Sequence, residues 1–202
     1  MRSVRRLGLA NWVTILRMTF IPVFLVFLLG EFGSEPGWVA WRPWIAAAVF
    51  TALAATDAVD GYLARSRNEV TTFGKFIDPL ADKLLVTAAL VGLVQLGNLP
   101  GWVAIVILSR ELIVSGLRMV AVAEGVVIAA SSWGKVKTVF QIIAIVAFIL
   151  MAAPIIPAAL LPQVRFVAWT IMAAALVLTA VSAVQYFYHA REVIAGPWSS
   201  SA

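Results

Sequence analysis

The 202-residue chain has no cysteine, and its one histidine is His189, past the last long apolar stretch. That excludes a disulfide framework, a thiolate metal site and a cysteine nucleophile, and leaves zinc or copper almost without nitrogen and sulfur donors. Charge is also scarce. Charged residues make up 12% of the chain and apolar residues 62%, whereas an ordinary soluble domain runs near about 25% and about 45–50%. A soluble core of this size buries only about 70% of its chain surface. A soluble domain is therefore excluded, and so is intrinsic disorder. The sequence shows neither a repeat at a fixed period nor a low-complexity tract.

What is present is apolar sequence in blocks, at roughly 12–30, 43–64, 76–97, 101–123, 134–154 and 165–188. A bilayer crossing takes roughly 20 apolar residues. The expectation is an all-α polytopic membrane protein, with residues 1–202 forming one integral membrane domain of six transmembrane helices. Gly33, Pro36, Gly37 and Pro43 make Gly30–Pro43 read as a loop, Arg65–Lys75 reads as a polar connection, and residues 97–101 read as a tight turn. Arg2, Arg5 and Arg6 open the chain, and Arg17 interrupts the apolar run that follows. Residues 2–10 are thus expected to be a short amphipathic juxtamembrane segment leading into an uncleaved first span.

Six spans put both termini on one side. Loops and ends on that side carry Arg2, Arg5, Arg6, Arg65, Arg67, Lys75, Lys135, Lys137 and Arg191, against Arg42 and Arg165 on the other. Cytoplasmic loops are enriched in Lys and Arg, so the termini are expected in the cytoplasm, and a bacterial plasma membrane is the natural setting. The same bias accounts for the net charge of +5 without a nucleic-acid partner. Trp12, Trp38, Trp41, Trp44, Trp102, Trp133 and Trp169 fall near proposed span ends, where an aromatic belt belongs.

Nine charges remain inside the spans: Arg17, Lys83, Arg110, Arg118, Asp57, Asp60, Asp78, Asp82 and Glu111. Each costs at least about 2.5–3.5 kcal/mol at the bilayer centre, so they must face inward, pair, or bind a ligand or metal. Asp57 and Asp60 are three apart and Asp78 and Asp82 four apart, so each pair shares a helix face. The two helices are joined by about ten residues and should be antiparallel neighbours, which lets four carboxylates converge just inside the cytoplasmic boundary. All-oxygen ligands suit Mg²⁺, Mn²⁺ or Ca²⁺, and a carboxylate-bridged pair of such ions suits phosphoryl chemistry. Salt bridges to Arg65 or Lys83 are the structural alternative. Intramembrane acids also mark ion pathways, so an ion or metal transporter is a second class of function. Against it, the acids cluster near one face, and no inverted repeat is visible.

The run Asp57-Ala-Val-Asp60-Gly61-Tyr-Leu-Ala64-Arg65, then eight residues, then Gly74-Lys-Phe-Ile-Asp78-Pro-Leu-Ala-Asp82 resembles the signature of the CDP-alcohol phosphotransferase family, D-x2-D-G-x2-A-R-x8-G-x3-D-x3-D. Every fixed position is present at the family's spacing. The resemblance implies a six-span enzyme that transfers a CDP-activated phosphatidyl or similar group to an alcohol and releases CMP. It implies that Asp57, Asp60 and Asp78 bind two divalent cations, Mg²⁺ or Mn²⁺, and that Asp82 is the general base and also a metal ligand. Gly61, Ala64, Arg65 and Gly74 would frame the cytidine diphosphate. The residue types agree: small residues admit a nucleotide to the backbone, and Arg65 offers a planar fork of donors to pyrophosphate.

Three further stretches resemble the phosphatidylglycerophosphate synthase branch of that family: Asn11-Trp-Val-Thr14-Ile-Leu-Arg17, with Ala10 where the branch usually has Pro; Ser109-Arg110-Glu111-Leu112 with Gly116-Leu117-Arg118; and Gly134-Lys135-Val136-Lys137-Thr138. Thr14 and Arg17 join the expected CDP-lipid site. Arg110 and Arg118 lie about 80° apart around a helix and about 12 Å along it. With Lys135 they are expected to hold the phosphate of glycerol 3-phosphate, the acceptor for the phosphatidyl group of CDP-diacylglycerol. Inositol phosphate and phosphatidylglycerol are the alternative acceptors within the family. Lys137, Arg2, Arg5 and Arg6 are read as ordinary cytoplasmic anchors. The resemblance covers nearly residues 9–140, and the fifth and sixth spans add little to it beyond hydrophobicity. The family also implies a homodimer.

Overall fold

The computed structural model describes the chain path over residues 9–30, 35–67, 72–123, 132–154 and 156–199, with side chains over 15–30, 35, 37–56, 83–121, 133–154 and 156–188. Among these residues the secondary structure is helical throughout: α1 (Leu9–Leu29), α2 (Pro36–Arg67), α3 (Thr72–Gln95), α4 (Gly101–Ala123), α5 (Ser132–Leu150) and α6 (Leu161–Ser199). Three stretches are long and apolar enough to cross a membrane: Gly37–Thr56 in α2, Trp133–Met151 at α5 and Leu161–Tyr188 in α6. Shorter apolar stretches occupy Ile15–Leu29 and Lys83–Gln95, and α4 is interrupted by Arg110, Glu111 and Arg118. Residues 2–8 of the expected amphipathic segment lie outside the described residues.

Two expected connections are largely helical. The first, Gly30–Pro43, gives way at Pro36, where α2 begins. A proline at the first helical position loses nothing, because the N–H it lacks has no partner there. Pro43 lies further inside α2, directly after a segment tied to α1 by two contacts. The Trp38 ring lies 5.8 Å from that of Phe27, and Arg42 Nη1 donates to the Gly30 carbonyl. Arg42 is therefore a helix cap and not simply an outer-loop charge. It satisfies the end of α1, where Gly30 has a φ of 39°, and it complements the negative end of the helix dipole. The second connection, Arg65–Lys75, narrows to residues 68–71 between α2 and α3, since a run of polar residues marks exposure to water and not a break in the helix. At the other end of the chain, α6 runs well past the expected boundary at 188.

The 97–101 turn forms as expected. Asn98 N donates to Leu93 O at 3.0 Å and Gly97 N to Val94 O at 3.0 Å, the paired bonds of a Schellman cap. Gly97 has the positive φ of 70° that this cap requires. Leu99 is buried just after it and anchors the turn.

The core draws on all six helices. Phe24 packs against Phe50 with the rings tilted at 5.6 Å, Phe148 meets Trp169 edge-on at 5.3 Å, and Leu90, Leu93, Ile107, Ile145 and Met172 fill the space around them. Small residues set the helix spacing: Ala46, Ala47 and Ala89 are buried, and a Cβ at Gly92 would come within 2.5 Å of Leu28 Cδ2. Small side chains at helix crossings let backbones approach closely, as in membrane bundles. Ile105, Leu112 and Met119, a heptad apart on α4, and Phe166, Val177 and Val184 on α6 face outward. Such a surface belongs in lipid.

Candidate functional site

Four helices bring polar side chains to one place. On α4, Glu111, Ser115 and Arg118 follow one another at intervals of four and three, so they share a face, with Arg110 beside it. Lys135, Lys137 and Thr138 come from the first turns of α5, Ser182 and Tyr186 from α6, and Lys83 from α3. Lys83, Arg110, Arg118, Lys135 and Lys137 line a cavity of about 260 Å³, and Glu111 is the one carboxylate in its described lining.

Glu111 sits at the centre of the cluster. Lys137 Nζ donates to Glu111 Oε1, and Arg110 Nη1 approaches the same oxygen at 3.4 Å. Ser115 Oγ donates to the Glu111 carbonyl at 2.6 Å and accepts from Lys83 Nζ. The chain from Lys83 to Glu111 therefore links α3 to α4, and Lys137 extends it to α5. Arg110 also reaches α6, where Nη2 donates to Ser182 Oγ at 2.8 Å, and Arg118 Nη2 donates to Tyr186 Oη. Both guanidiniums lie over the Tyr186 ring, with Cζ at 4.9 Å from its centroid for Arg118 and 5.6 Å for Arg110.

Several cations gathered in a partly buried cavity repel, since like charges a few ångströms apart cost more as water is withdrawn. One carboxylate offsets only part of that. The described lining is thus poised for an anion with more than one negative charge and several acceptor oxygens, and Arg forks and Lys ammoniums together suit a phosphate. A neighbouring cavity of about 250 Å³ shares Lys83, Glu111, Lys137 and Thr138, but is apolar on its far side through Val86, Leu108 and Leu112.

Of the residues expected from sequence to meet an acceptor phosphate, Arg110, Arg118 and Lys135 all line this one cavity. Lys137 departs from its reading as a cytoplasmic anchor. It is only 3% exposed and paired with Glu111, because it lies on the inward face of α5, one turn before buried Gln141. Nor are the last two helices only an apolar wall, since α5 supplies two of the cations and α6 supplies Ser182 and Tyr186. Ser182 and Tyr186 stand four apart on one face of α6, and it is their arginine partners that disclose the role. Arg17 is buried on α1, away from this cavity's lining.

Asp57, Asp60, Gly61, Ala64 and Arg65 lie toward the C-terminal end of α2, and Gly74, Asp78 and Asp82 toward the N-terminal end of α3. The paired-aspartate motif is therefore divided between the end of α2 and the start of α3. The side chains of these residues, and that of Thr14, lie outside the described residues. Among the described residues, none form a group of three or more potential metal-ligating side chains.

Residues 7–182 match the family model described as CDP-alcohol phosphatidyltransferase. The chain is 47% identical over 154 residues to a CDP-diacylglycerol–glycerol-3-phosphate 3-phosphatidyltransferase of Bacillus subtilis (strain 168), covering 73% of this chain and 79% of that protein. It is 42% identical over 193 residues to a probable phosphatidylglycerophosphate synthase of Mycobacterium tuberculosis (strain ATCC 25618 / H37Rv), covering 94% of this chain and 84% of the relative. A Haemophilus influenzae CDP-diacylglycerol–glycerol-3-phosphate 3-phosphatidyltransferase is 40% identical over 139 residues, covering 66% of this chain and 71% of that protein.

Proposed function

This chain belongs to the CDP-alcohol phosphatidyltransferase family, and we propose that it transfers the phosphatidyl group of CDP-diacylglycerol to the sn-1 hydroxyl of glycerol 3-phosphate, giving phosphatidylglycerophosphate and CMP. The names of its relatives support the reaction. The observation that carries the acceptor is the cavity where Lys83, Arg110, Arg118, Lys135 and Lys137 surround a single described carboxylate. A phosphomonoester dianion supplies the charge and the acceptor oxygens that this lining lacks.

In this reading Arg110, Arg118 and Lys135 hold the acceptor phosphate, and Lys83 and Lys137 add to the field. Gly61, Ala64, Arg65 and Gly74 frame the cytidine diphosphate, with Thr14 and Arg17 at its margin. Asp82 takes the proton of the sn-1 hydroxyl as its oxygen bonds to the β-phosphorus. The bond from that phosphorus to the bridging oxygen breaks, and CMP departs with the electron pair. The donor set of Asp57, Asp60, Asp78 and Asp82, all hard oxygens, fits two divalent cations, Mg²⁺ or Mn²⁺. Bound there, they would offset the charge of the diphosphate and the leaving CMP. A proton transfer concerted with attack lets a carboxylate act as base although nearby cations weaken it.

The six helices are read as six crossings of a bacterial plasma membrane, with the termini and the site on the cytoplasmic side, in a homodimer. CDP-diacylglycerol then arrives through the lipid and glycerol 3-phosphate from the cytoplasm. The test is CMP release by purified protein given CDP-diacylglycerol, a divalent cation and one acceptor at a time. Release should require glycerol 3-phosphate and should stop with chelator or with Asp82→Asn. Release only with inositol 1-phosphate or phosphatidylglycerol would keep the chemistry and overturn the acceptor. No release from folded protein with any acceptor would overturn the reaction.

A further inference from the structure

Tyr186 is 4% exposed and Ser182, one turn before it on α6, is fully buried. Each accepts a hydrogen bond from a different arginine of α4, Tyr186 from Arg118 and Ser182 from Arg110. The Tyr186 ring also lies within 4.9 and 5.6 Å of the two guanidinium carbons. The family match ends at residue 182, so Tyr186 stands four residues beyond it.

Resting on the glycerol 3-phosphate reading, we propose that Tyr186 is a positioning residue that sets affinity for the acceptor phosphate through Arg118, with Ser182 doing the same for Arg110. Two guanidiniums side by side repel, and each has several rotatable bonds to freeze before it can grip an anion. An aromatic ring attracts both, because the negative quadrupole of its face favours a cation. The hydroxyl then fixes the rotation of Arg118 by occupying one of its five N–H donors and leaving the others for a ligand. Tyrosine suits this task where an acid would not. It is neutral, so it orders the cations without cancelling the charge that recruits phosphate, and its own side chain has only two torsions to lose. Arg118 is thus held ready before the acceptor arrives, and the ordering is not charged against binding.

The test is steady-state CMP release for the wild type, Tyr186→Phe, Tyr186→Ala, Arg118→Ala and the double variant Tyr186→Phe with Arg118→Ala, varying glycerol 3-phosphate and CDP-diacylglycerol in turn, with a thermal melt of each variant. Tyr186→Phe keeps the ring and loses the hydroxyl, and should raise KM for glycerol 3-phosphate about threefold to tenfold. Removing the ring as well should raise it by roughly tenfold to fiftyfold. In both, kcat and the KM for CDP-diacylglycerol should stay within about twofold of wild type. Tyr186→Phe placed on Arg118→Ala should add nothing, because its route runs through Arg118. The proposal is overturned if Tyr186→Phe leaves KM for glycerol 3-phosphate unchanged, if both KM values rise together, or if its effect persists at full size without Arg118. Wild-type release that does not depend on glycerol 3-phosphate overturns the functional reading, and this inference with it. Normal wild-type behaviour with an indifferent Tyr186→Phe overturns this inference alone.

Discussion

Replacing Glu111 with glutamine keeps the shape of the side chain and removes the one described negative charge from the cation-lined cavity. At the 3.4 Å that separates it from Arg110, an opposite unit charge is worth about 5 kcal/mol at an effective dielectric near 20, before desolvation takes most of it back. Removing one partner of a fully buried pair costs about 3–5 kcal/mol, because the other charge stays behind. Lys137 is 3% exposed and Glu111 22%, so the cost here should lie at about 2–3 kcal/mol. For a chain of this length about 1 kcal/mol moves Tm by roughly 2–4 °C, and Glu111→Gln should melt roughly 5–10 °C below wild type without ligand. Glycerol 3-phosphate should then narrow the gap. An anion that binds the folded protein stabilises it by RT ln(1 + [L]/Kd), and a cavity with one more net positive charge should bind it more tightly. A tenfold gain in affinity adds about 1.4 kcal/mol at saturating ligand, so the ligand should raise the variant's Tm by about 3–5 °C more than that of wild type. Thermal unfolding in detergent, followed by far-ultraviolet circular dichroism with and without glycerol 3-phosphate, measures both quantities. A variant that melts with wild type, or equal ligand shifts in the two proteins, would refute the reasoning.

Arg118→Ala removes a charge-assisted contact worth about 1.5–3 kcal/mol. KM for glycerol 3-phosphate should rise about tenfold to hundredfold while KM for CDP-diacylglycerol stays within about twofold, and a loss confined to CDP-diacylglycerol would sink the phosphate assignment. Phe148 is fully buried and packs edge-on against Trp169. Phe148→Ala should cost about 3–5 kcal/mol of stability, read as a lowered melting temperature with the ratio of the two KM values unchanged.

The six described helices were legible because apolar runs separated by polar or Gly/Pro-rich breaks stand out in the sequence, and three of the runs are long enough to cross a membrane. The turn at 97–101 was legible because Gly97 is followed closely by Pro100, and a cap with positive φ asks for glycine. Helix ends were harder. Pro36 and Pro43 usually punctuate a chain, yet one stands where a helix begins and the other in a helix held to α1 by Trp38 and Arg42. Those tethers involve residues distant in sequence, so no local pattern discloses them. Arg110 and Arg118 were readable from charge at span depth, and Lys135 only from the motif around it that resembles the synthase branch. Lys137 was not, because a lysine near a span end has the same sequence signature whether it anchors in water or turns inward to Glu111. Tyr186 was missed for a related reason: a tyrosine near the end of an apolar helix, with Tyr188 two residues on, resembles interfacial decoration until its arginine partners are known.

The cap at Gly97 also works as a depth gauge. Lys83 lies 12 residues before Gln95, the last residue of α3, and Ser115 lies 14 residues after Gly101, the first of α4. At 1.5 Å per residue these are rises of about 18 and 21 Å, which is why the two side chains meet although 32 positions separate them. Their level is therefore fixed by counting turns from the far end of the hairpin. Deleting one residue from α3 between 83 and 95 would rotate Lys83 by about 100° and shift it by about 1.5 Å, out of reach of Ser115. The tolerance of this hairpin to change thus follows helix length more closely than side-chain identity, and a variant can keep every residue of the cavity and still misalign it.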